Sequence, residues 1–323
     1  MQEADDTMDL SARRLYADGD RVIEFSQGPA YLSLRDGQIL IRRDGLPDMT
    51  TPVDEAAVVV LSSRRVTCTV PVLDALVSAG CAVLICDEAM KPSGLMLPLA
   101  GHFQQTRRMI AQATAKVPLK KQIWRQIVVA KVRAQAANLL IHRGTDGGLN
   151  ALAATVRSGD PMNIEAQAAQ RYWPLLFNDP DFLRRRDAPD QNRMLNFGYA
   201  VLRAAVGRAL VVSGLHPSLG VHHHGRTNPF CLADDLMEPY RPLIDGVVAE
   251  ITGEWGADVT LDPTIKGRII GTLHERLTDS RNGTIETRTT FEWISRSAAS
   301  LARTLCRERK DERLFFPTGL TNS

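Results

Sequence analysis

The order of apolar and polar positions divides the chain into two textures. From Arg21 short apolar runs follow one another, RVIEF, AYLSL and QILIRR, separated by Gly28–Pro29 and Asp36–Gly37. Runs of this length between turn residues predict strands. The Asp36–Gly37 pair lies between Leu34 and Ile39 and predicts a tight hairpin, because both turn positions take positive φ. Gly45 and Pro47 break the chain again; Ala56–Leu61 (AAVVVL) then reads as a buried strand, Val66–Val70 as a short one and Cys81–Cys86 (CAVLIC) as another. Between the last two, Pro71–Ala79 predicts a short helix with Val72, Leu73, Leu76 and Val77 on one stripe. Residues 1–20 read as a frayed lead-in.

The period changes after Lys91–Gly101 (KPSGLMLPLAG), whose two prolines and two glycines mark a linker. Leu119–Ile141 repeats apolar residues at 119, 123, 127, 130, 134, 137 and 141, a helical stripe, with Lys120, Lys121, Arg125 and Arg133 mostly off it. Gly147–Gly148 precedes a shorter helix, Leu149–Val156. Asp160 as N-cap and Pro161 at the first helical position predict the next, which carries Glu165 and runs to about Phe177. Asn178–Asp190 is a polar loop with Arg184, Arg185 and Arg186. A long helix over about Asn192–Ser213 ends at Gly214. Helical segments follow to about Arg309, interrupted near Leu261–Pro263 and Arg281–Gly283. The pattern predicts an α+β protein: a small β-rich N-terminal domain (1–95), a linker (96–102) and a larger all-α domain (103–323).

Composition narrows the function. The net charge of +2 hides an asymmetry. Residues 1–100 hold 9 Lys/Arg against 15 Asp/Glu, whereas 101–323 hold 30 against 22. Phosphate-binding work therefore belongs to the C-terminal part, unless the excess is scatter between two ordinary domains. The five cysteines lack C-x-x-C spacing, which favours reduced thiols in a cytoplasmic protein over a disulfide frame or zinc knuckle. No long uncharged apolar stretch predicts a membrane span; Phe197–Val212 comes nearest but contains Arg203 and Arg208. The acidic start, MQEADDTMDL, is neither a secretory signal nor a transit peptide.

Candidate chemistry concentrates in Gly214–Asp245. Four of the seven histidines (His216, His222, His223, His224) lie in its first eleven residues, and Asp234, Asp235 and Glu238 follow. Imidazole and carboxylate on adjoining elements can hold a divalent metal that keeps open positions. Asp235 and Glu238, three apart, share a helix face. Pro239 and Pro242 free the carbonyls of Asp235 and Glu238 and predict a bend beside the acids. A solvated acidic helix start has the same spacing. Three successive histidines cannot all point one way, so only one or two face the acids. Glu165, in EAQAAQRYW, is either an ordinary first-turn acid or an interior carboxylate that needs a partner or a metal.

Together these residues resemble the CRISPR-associated adaptation integrases, the "Cas-one" family. GLHPSLGVHH resembles that family's Gly-[apolar]-x-Pro-x-[Leu]-Gly-x-x-His, and NPFCLADDLMEPYRPLID resembles its Leu-x-x-Asp-[Leu]-x-[Glu/Asp]-x-[aromatic]-Arg-Pro signature. MNIEAQAAQRYW resembles its Glu-x-x-x-Ala-x-x-Tyr segment, and AYLSLRDGQILI its N-terminal domain. The wording HHHGRTNPFCLADDLMEPYRP is similar to the branch that accompanies single-protein RNA-guided nucleases, type II. The resemblance spans nearly the whole chain.

It implies a β-rich N-terminal domain and a helical catalytic domain in a homodimer, two of which join a dimer of a small partner, "Cas-two". The assembly captures fragments of invading DNA and inserts them into the CRISPR array. It implies Glu165, His223 and Glu238 as catalytic, metal-binding residues with Asp235 as an additional metal-binding acid. Counting from Gly220 selects His223 over its neighbours. Glu238 stands where many members carry Asp. Mg²⁺ or Mn²⁺ would assist attack by a 3′-hydroxyl or water on a phosphodiester, and a nitrogen ligand suits Mn²⁺ at least as well as Mg²⁺. His223 could instead transfer protons. Arg184, Arg185, Arg186, Arg226, Arg241 and the Lys120–Arg133 helix are candidate contacts to double-stranded and branched DNA. Two other readings use the same residues: a catalytically silent DNA-binding scaffold, and a metal hydrolase of small phosphate esters. The clustered acids argue against the first; the basic C-terminal part and lack of a Gly-rich nucleotide loop argue against the second. The dimer expectation also rests on strands of residues 21–61 that read as apolar and exposed.

Overall fold

Asp36 and Gly37 take φ of 50° and 73°, closing a hairpin between β2 (Ala30–Arg35) and β3 (Gln38–Arg42). The structure, a computed structural model, describes residues 20–26, 28–88, 92–185, 188–281, 284–307, 313–317 and 321–322, so the lead-in 1–19 and Arg186 lie outside it. Two four-stranded sheets form the N-terminal part. One has the order β4-β3-β2-β6, with β4 at Met49–Pro52 and β6 at Val66–Cys68. The other has the order β1-β5-β7-β8, with β1 at Arg21–Phe25, β5 at Ala56–Leu61, β7 at Ala82–Cys86 and β8 at Pro92–Met96. In the second sheet β1, β5 and β7 run parallel, and β8 is antiparallel to β7. Helix α1 (Val70–Ser78) buries Val72 and Leu76 against the strands.

Residue alternation on β5 and β7 joins the two parts of the chain. Val59 and Val83 face the N-terminal core, while Val58, Val60, Ala82 and Leu84 belong to the core of the helical part. A strand buried on both faces needs no polar alternation, which is why AAVVVL reads as a continuous run. The predicted linker is corrected at its start: Met96 ends β8, paired with Val83, and Leu95 pairs with Leu84. The prolines and glycines there do not end the sheet, because β8 lies on its edge, where a missing ladder donor is tolerated. Of the apolar side chains in residues 21–61, Phe25, Leu32, Ile39 and Ile41 are buried within the chain, whereas Tyr31, Leu34, Leu46 and Met49 are exposed.

The helical part comprises α2 (Gln105–Ala113), α3 (Val117–Arg143), α4 (Leu149–Ala154), α5 (Ile164–Phe177), α6 (Asn192–Val212), α7 (Cys231–Met237), α8 (Arg241–Trp255), α9 (Pro263–Gly271) and α10 (Thr290–Cys306). It is not all-α. β9 (Arg276–Arg281) and β10 (Thr284–Thr289) form an antiparallel pair, joined on the far side of β9 by β11 (Thr321–Asn322). RLTDSR and TIETRT lack an apolar run; their β-branched threonines carry the strand character, and buried Leu277 accepts from the Trp293 indole N–H through its carbonyl at 3.0 Å. α6 is long and apolar enough to cross a membrane by length and composition, but most of its side chains are buried as the central core helix.

Two buried ion pairs cross between the parts. Lys266 on α9, 1% exposed, places Nζ 2.8 Å from Glu24 of β1. Arg208 of α6 contacts Asp20 at 3.1 Å and donates from Nε to the Gly80 carbonyl. With the shared hydrophobic core, these contacts make the β-rich part a continuation of the helical one.

Candidate active site

α5 begins later than its N-cap pattern suggests. Asp160 is left-handed at φ 47°, and its two carboxylate oxygens accept the backbone N–H groups of Ile164 and Glu165 at 2.8 and 3.0 Å. Asp160 thus caps the helix from four residues upstream, and Asn163, also left-handed, stands at the N-cap position. This fixes Glu165 on the second residue of α5, facing α3. Glu238 is held by another local feature. α7 ends at Met237, and Glu238–Tyr240 forms a 3₁₀ turn before α8 begins at Arg241. The predicted bend at Pro239 is therefore present, and it places Glu238 in the interior at 4% exposure.

Both carboxylates converge on one cation. Lys131 Nζ of α3 lies 2.6 Å from Glu165 Oε1 and 2.6 Å from Glu238 Oε2, so the two oxygens are at most twice that distance apart. Arg241 Nε lies 3.0 Å from Glu238 Oε1. Burial opposes the Lys131 ammonium, but Glu238 and Glu165 outweigh it and hold its pKa above the ordinary value. Burial likewise pushes Glu238 up, but Arg241 and Lys131 prevail and its pKa is lowered. Glu165 is therefore not an ordinary solvated first-turn acid: its carboxylate is paired with Lys131. Lys131 was not among the residues that the sequence singled out, since a lysine on a basic helix carries no signal of its own.

The histidines sit on a loop bound from three sides. Gln112 of α2, 1% exposed, donates to the carbonyls of His216 and Leu219 at 2.9 Å and accepts from the His216 N–H at 2.9 Å. The Pro217 carbonyl accepts from Leu232 at 2.7 Å and so caps α7. Gly220 passes so close that an added Cβ would lie 2.3 Å from the His223 carbonyl oxygen. Asp235, fully buried, closes the loop: Oδ2 accepts from the backbone of Val221 and His222 at 2.7 and 3.0 Å. Its Oδ1 accepts from the His223 backbone at 3.1 Å and meets His223 Nδ1 at 2.6 Å. Both Asp235 oxygens are thus occupied within the loop, and the residue holds the imidazole instead of joining Glu165 and Glu238. With Nδ1 facing a carboxylate, Nε2 is the nitrogen left to bind. The Asp235 contact, opposed by burial, raises the His223 pKa. His222 stacks on Trp124 of α3 with ring centroids 4.0 Å apart, and His224 is exposed. Asp234 pairs with Arg203 at 2.6 Å, away from the carboxylate pair.

The arginines divide. Arg184 and Arg241 both approach the ring of Tyr199, at 5.2 and 4.6 Å, whereas Arg185 and Arg226 are exposed. Lys131, Gln135, Arg184, Tyr199, Glu238 and Arg241 line a cavity of about 140 Å³. Behind it, Tyr172 donates to Asp245 at 3.1 Å, Tyr199 also bonds Asp245, and Asn138 donates to Tyr172 at 2.7 Å. Burial raises the Asp245 pKa to about 7, against the two phenols and the nearby arginines. A raised carboxyl pKa costs stability as pH climbs from the ordinary value toward the raised one, because the folded state then binds more protons than the unfolded. Asp245→Asn should therefore gain in melting temperature relative to wild type as pH rises from about 4 to about 7 and level off beyond. Thermal melts across that range would check it; a difference independent of pH would contradict it.

Among the described residues no three His, Cys, Asp and Glu side chains close into a ligand cluster. The donor set nevertheless suits a divalent cation. Two carboxylates already share a positive charge, and one imidazole, within electrostatic range of Glu238, is oriented by a carboxylate behind it. A divalent ion between them requires Lys131 to withdraw from one or both. If a divalent ion is held there through His223, Asp235→Asn is expected to lower Mn²⁺ affinity by about 10- to 100-fold, the usual cost of losing the partner behind such a histidine. A Mn²⁺ titration by electron paramagnetic resonance, alongside a melt to verify folding, checks it.

The model of the family described as "CRISPR associated protein Cas1" matches residues 25–255. The CRISPR-associated endonuclease Cas1 of Neisseria meningitidis is 40% identical over 258 residues, covering 79% of this chain and 84% of that protein. Two solved structures share the fold. A casposase bound to integration product superposes with a TM-score of 0.73 at 18% identity, covering 94% of this chain and 96% of that one. A Cas6-RT-Cas1–Cas2 complex gives 0.70 at 17% identity, covering 93% of this chain and 36% of that one. The matched residues run from the β-rich part through the histidine loop and the Glu238 turn, and on that match the chain belongs to the Cas1 family of CRISPR-associated proteins.

Proposed function

We propose that this protein is a metal-dependent DNA endonuclease and integrase that inserts foreign DNA fragments as new spacers into a CRISPR array of type II. The observation that carries the reading is the convergence of Glu165 and Glu238 on one cation beside a histidine that Asp235 holds in place. Glu165, His223 and Glu238 would hold the metal. Bound Mg²⁺ or Mn²⁺ would lower the pKa of the attacking 3′-hydroxyl or water and stabilise charge on the phosphorane-like state. Asp235 orients the imidazole and fixes which nitrogen faces the site. Arg241 keeps Glu238 ionised and, with Arg184, gives the adjoining cavity cationic donors for non-bridging phosphate oxygens. The wider assembly would be a homodimer joined to a Cas2 partner on double-stranded or branched DNA; the names of the similar structures, one bound to integration product and one a Cas1–Cas2 complex, support the DNA and Cas2 partners.

The test is a labelled branched DNA substrate with Mg²⁺ or Mn²⁺, comparing wild type with Glu238→Ala and His223→Ala. Cutting and strand transfer by wild type, lost in both variants while DNA binding and folding persist, would support the reading. Undiminished variants would misplace the site. An inert wild type, even with Cas2 and array DNA present, would leave a DNA-binding scaffold.

A further inference from the structure

The proposed reaction does not use His222, yet the structure builds a support under it. Its ring lies on Trp124 at 4.0 Å with only 2° between the planes, and His223 stands edge-on to it at 5.5 Å. Trp124 is 2% exposed, whereas His222 is exposed. One face of the imidazole is thus covered by the indole, while the residue as a whole remains exposed. A ring held flat on a buried tryptophan is a rigid aromatic surface. Such surfaces receive unstacked nucleobases, because every base has a π face to offer.

A second feature leads to the same place. No acidic residue occurs between Glu88 and Asp146, a span that holds ten lysines and arginines. On α3, Lys120 and Lys121 precede Trp124 by four and three residues, so they lie one turn before it on nearly the same face. Lys131, which bridges Glu165 and Glu238, follows Trp124 by seven, two turns further along that face. Lysines, stacked ring and carboxylates are therefore strung along ~16 Å of one helix. Neither Lys120 nor Lys121 has an ion pair among the described residues. A basic track ending on an aromatic surface is the arrangement that single-stranded nucleic acid fits.

We infer that His222, backed by Trp124, is a stacking platform for a DNA base unpaired beside the reacting phosphate, with Lys120 and Lys121 contacting the phosphates of that strand. This rests on the nuclease and integrase reading for its substrate class, and it adds that the strand at the site is locally single-stranded.

The test uses full-length protein without divalent metal and a branched DNA carrying 2-aminopurine next to the reacting phosphate. Wild type and His222→Phe should quench the base on binding; His222→Ala should not, and should bind roughly 5- to 150-fold more weakly. Replacing Lys120 and Lys121 by Ala should reduce the slope of log K against log salt by about 1.4, the value for two single-strand phosphates. Melting curves verify that the variants fold. Undiminished quenching in His222→Ala overturns the proposal, and so does a His222→Phe variant as defective as His222→Ala, which would assign imidazole chemistry to the position. Because binding is read without catalysis, quenching by a wild type that neither cuts nor joins DNA would leave the platform standing and remove the enzymatic reading. Active wild type with an unquenched base would do the reverse.

Discussion

Glu238→Gln is expected to lower DNA cutting and strand transfer by about 1000-fold or more, the loss of several kcal/mol of charge stabilisation that a held divalent ion supplies. The amide keeps the shape of the side chain but removes the charge that Lys131 and Arg241 face at 2.6 and 3.0 Å. Lys131 would then keep only Glu165 as its paired carboxylate, and on the proposed metal-assisted reading divalent-metal affinity falls as well. Single-turnover rates at saturating DNA, with Mn²⁺ affinity measured in parallel, separate this from impaired DNA binding. Wild-type rates in Glu238→Gln would show that the carboxylate pair is structural.

Lys266→Ala is expected to destabilise the protein by ~3–5 kcal/mol, because it leaves Glu24 buried without its counter-charge. Cys86, Val60 and Phe197 pack in the same core region, so water cannot easily reach the orphaned carboxylate. Pairing Lys266→Met with Glu24→Gln should recover most of the loss, since replacing both partners of a buried pair is often close to neutral. Thermal melts of the two single variants and the double variant form the cycle. A single variant within about 0.5 kcal/mol of wild type would mean that the pair contributes nothing to joining sheet and helices.

Much of the architecture is written in periodicity. The Asp36–Gly37 hairpin, the buried runs of β5 and β7, and the long helices α3 and α6 follow from turn chemistry and apolar spacing that need no tertiary context. The β9–β10 hairpin was not legible in that way. Its strands are polar and threonine-rich, and they are tied to the core by buried Leu277, whose carbonyl accepts from the Trp293 indole N–H at 3.0 Å. The edge strand β8 was obscured by Pro92 and Gly94, which a central strand would reject and an edge accepts.

For the site, the local sequence determined the His- and acid-rich stretch Gly214–Asp245, the bend expected at Pro239 and the basic balance of the C-terminal part, while the choice of Glu165, His223, Asp235 and Glu238 came from the resemblance to the Cas1 family. Composition and spacing reach that far because chemistry-bearing side chains and helix breakers act through their neighbours in the chain. Only the tertiary structure decided how they are arranged and what each one touches. It placed Lys131, 34 residues before Glu165, between two carboxylates from different helices. It turned Asp235 from a prospective ligand into the residue that holds His223, by folding three backbone N–H groups onto it. It also joined the β-rich and helical parts through strands buried on both faces. Each of these depends on which surfaces meet, and long-range burial is the one property that a local pattern of residues does not encode.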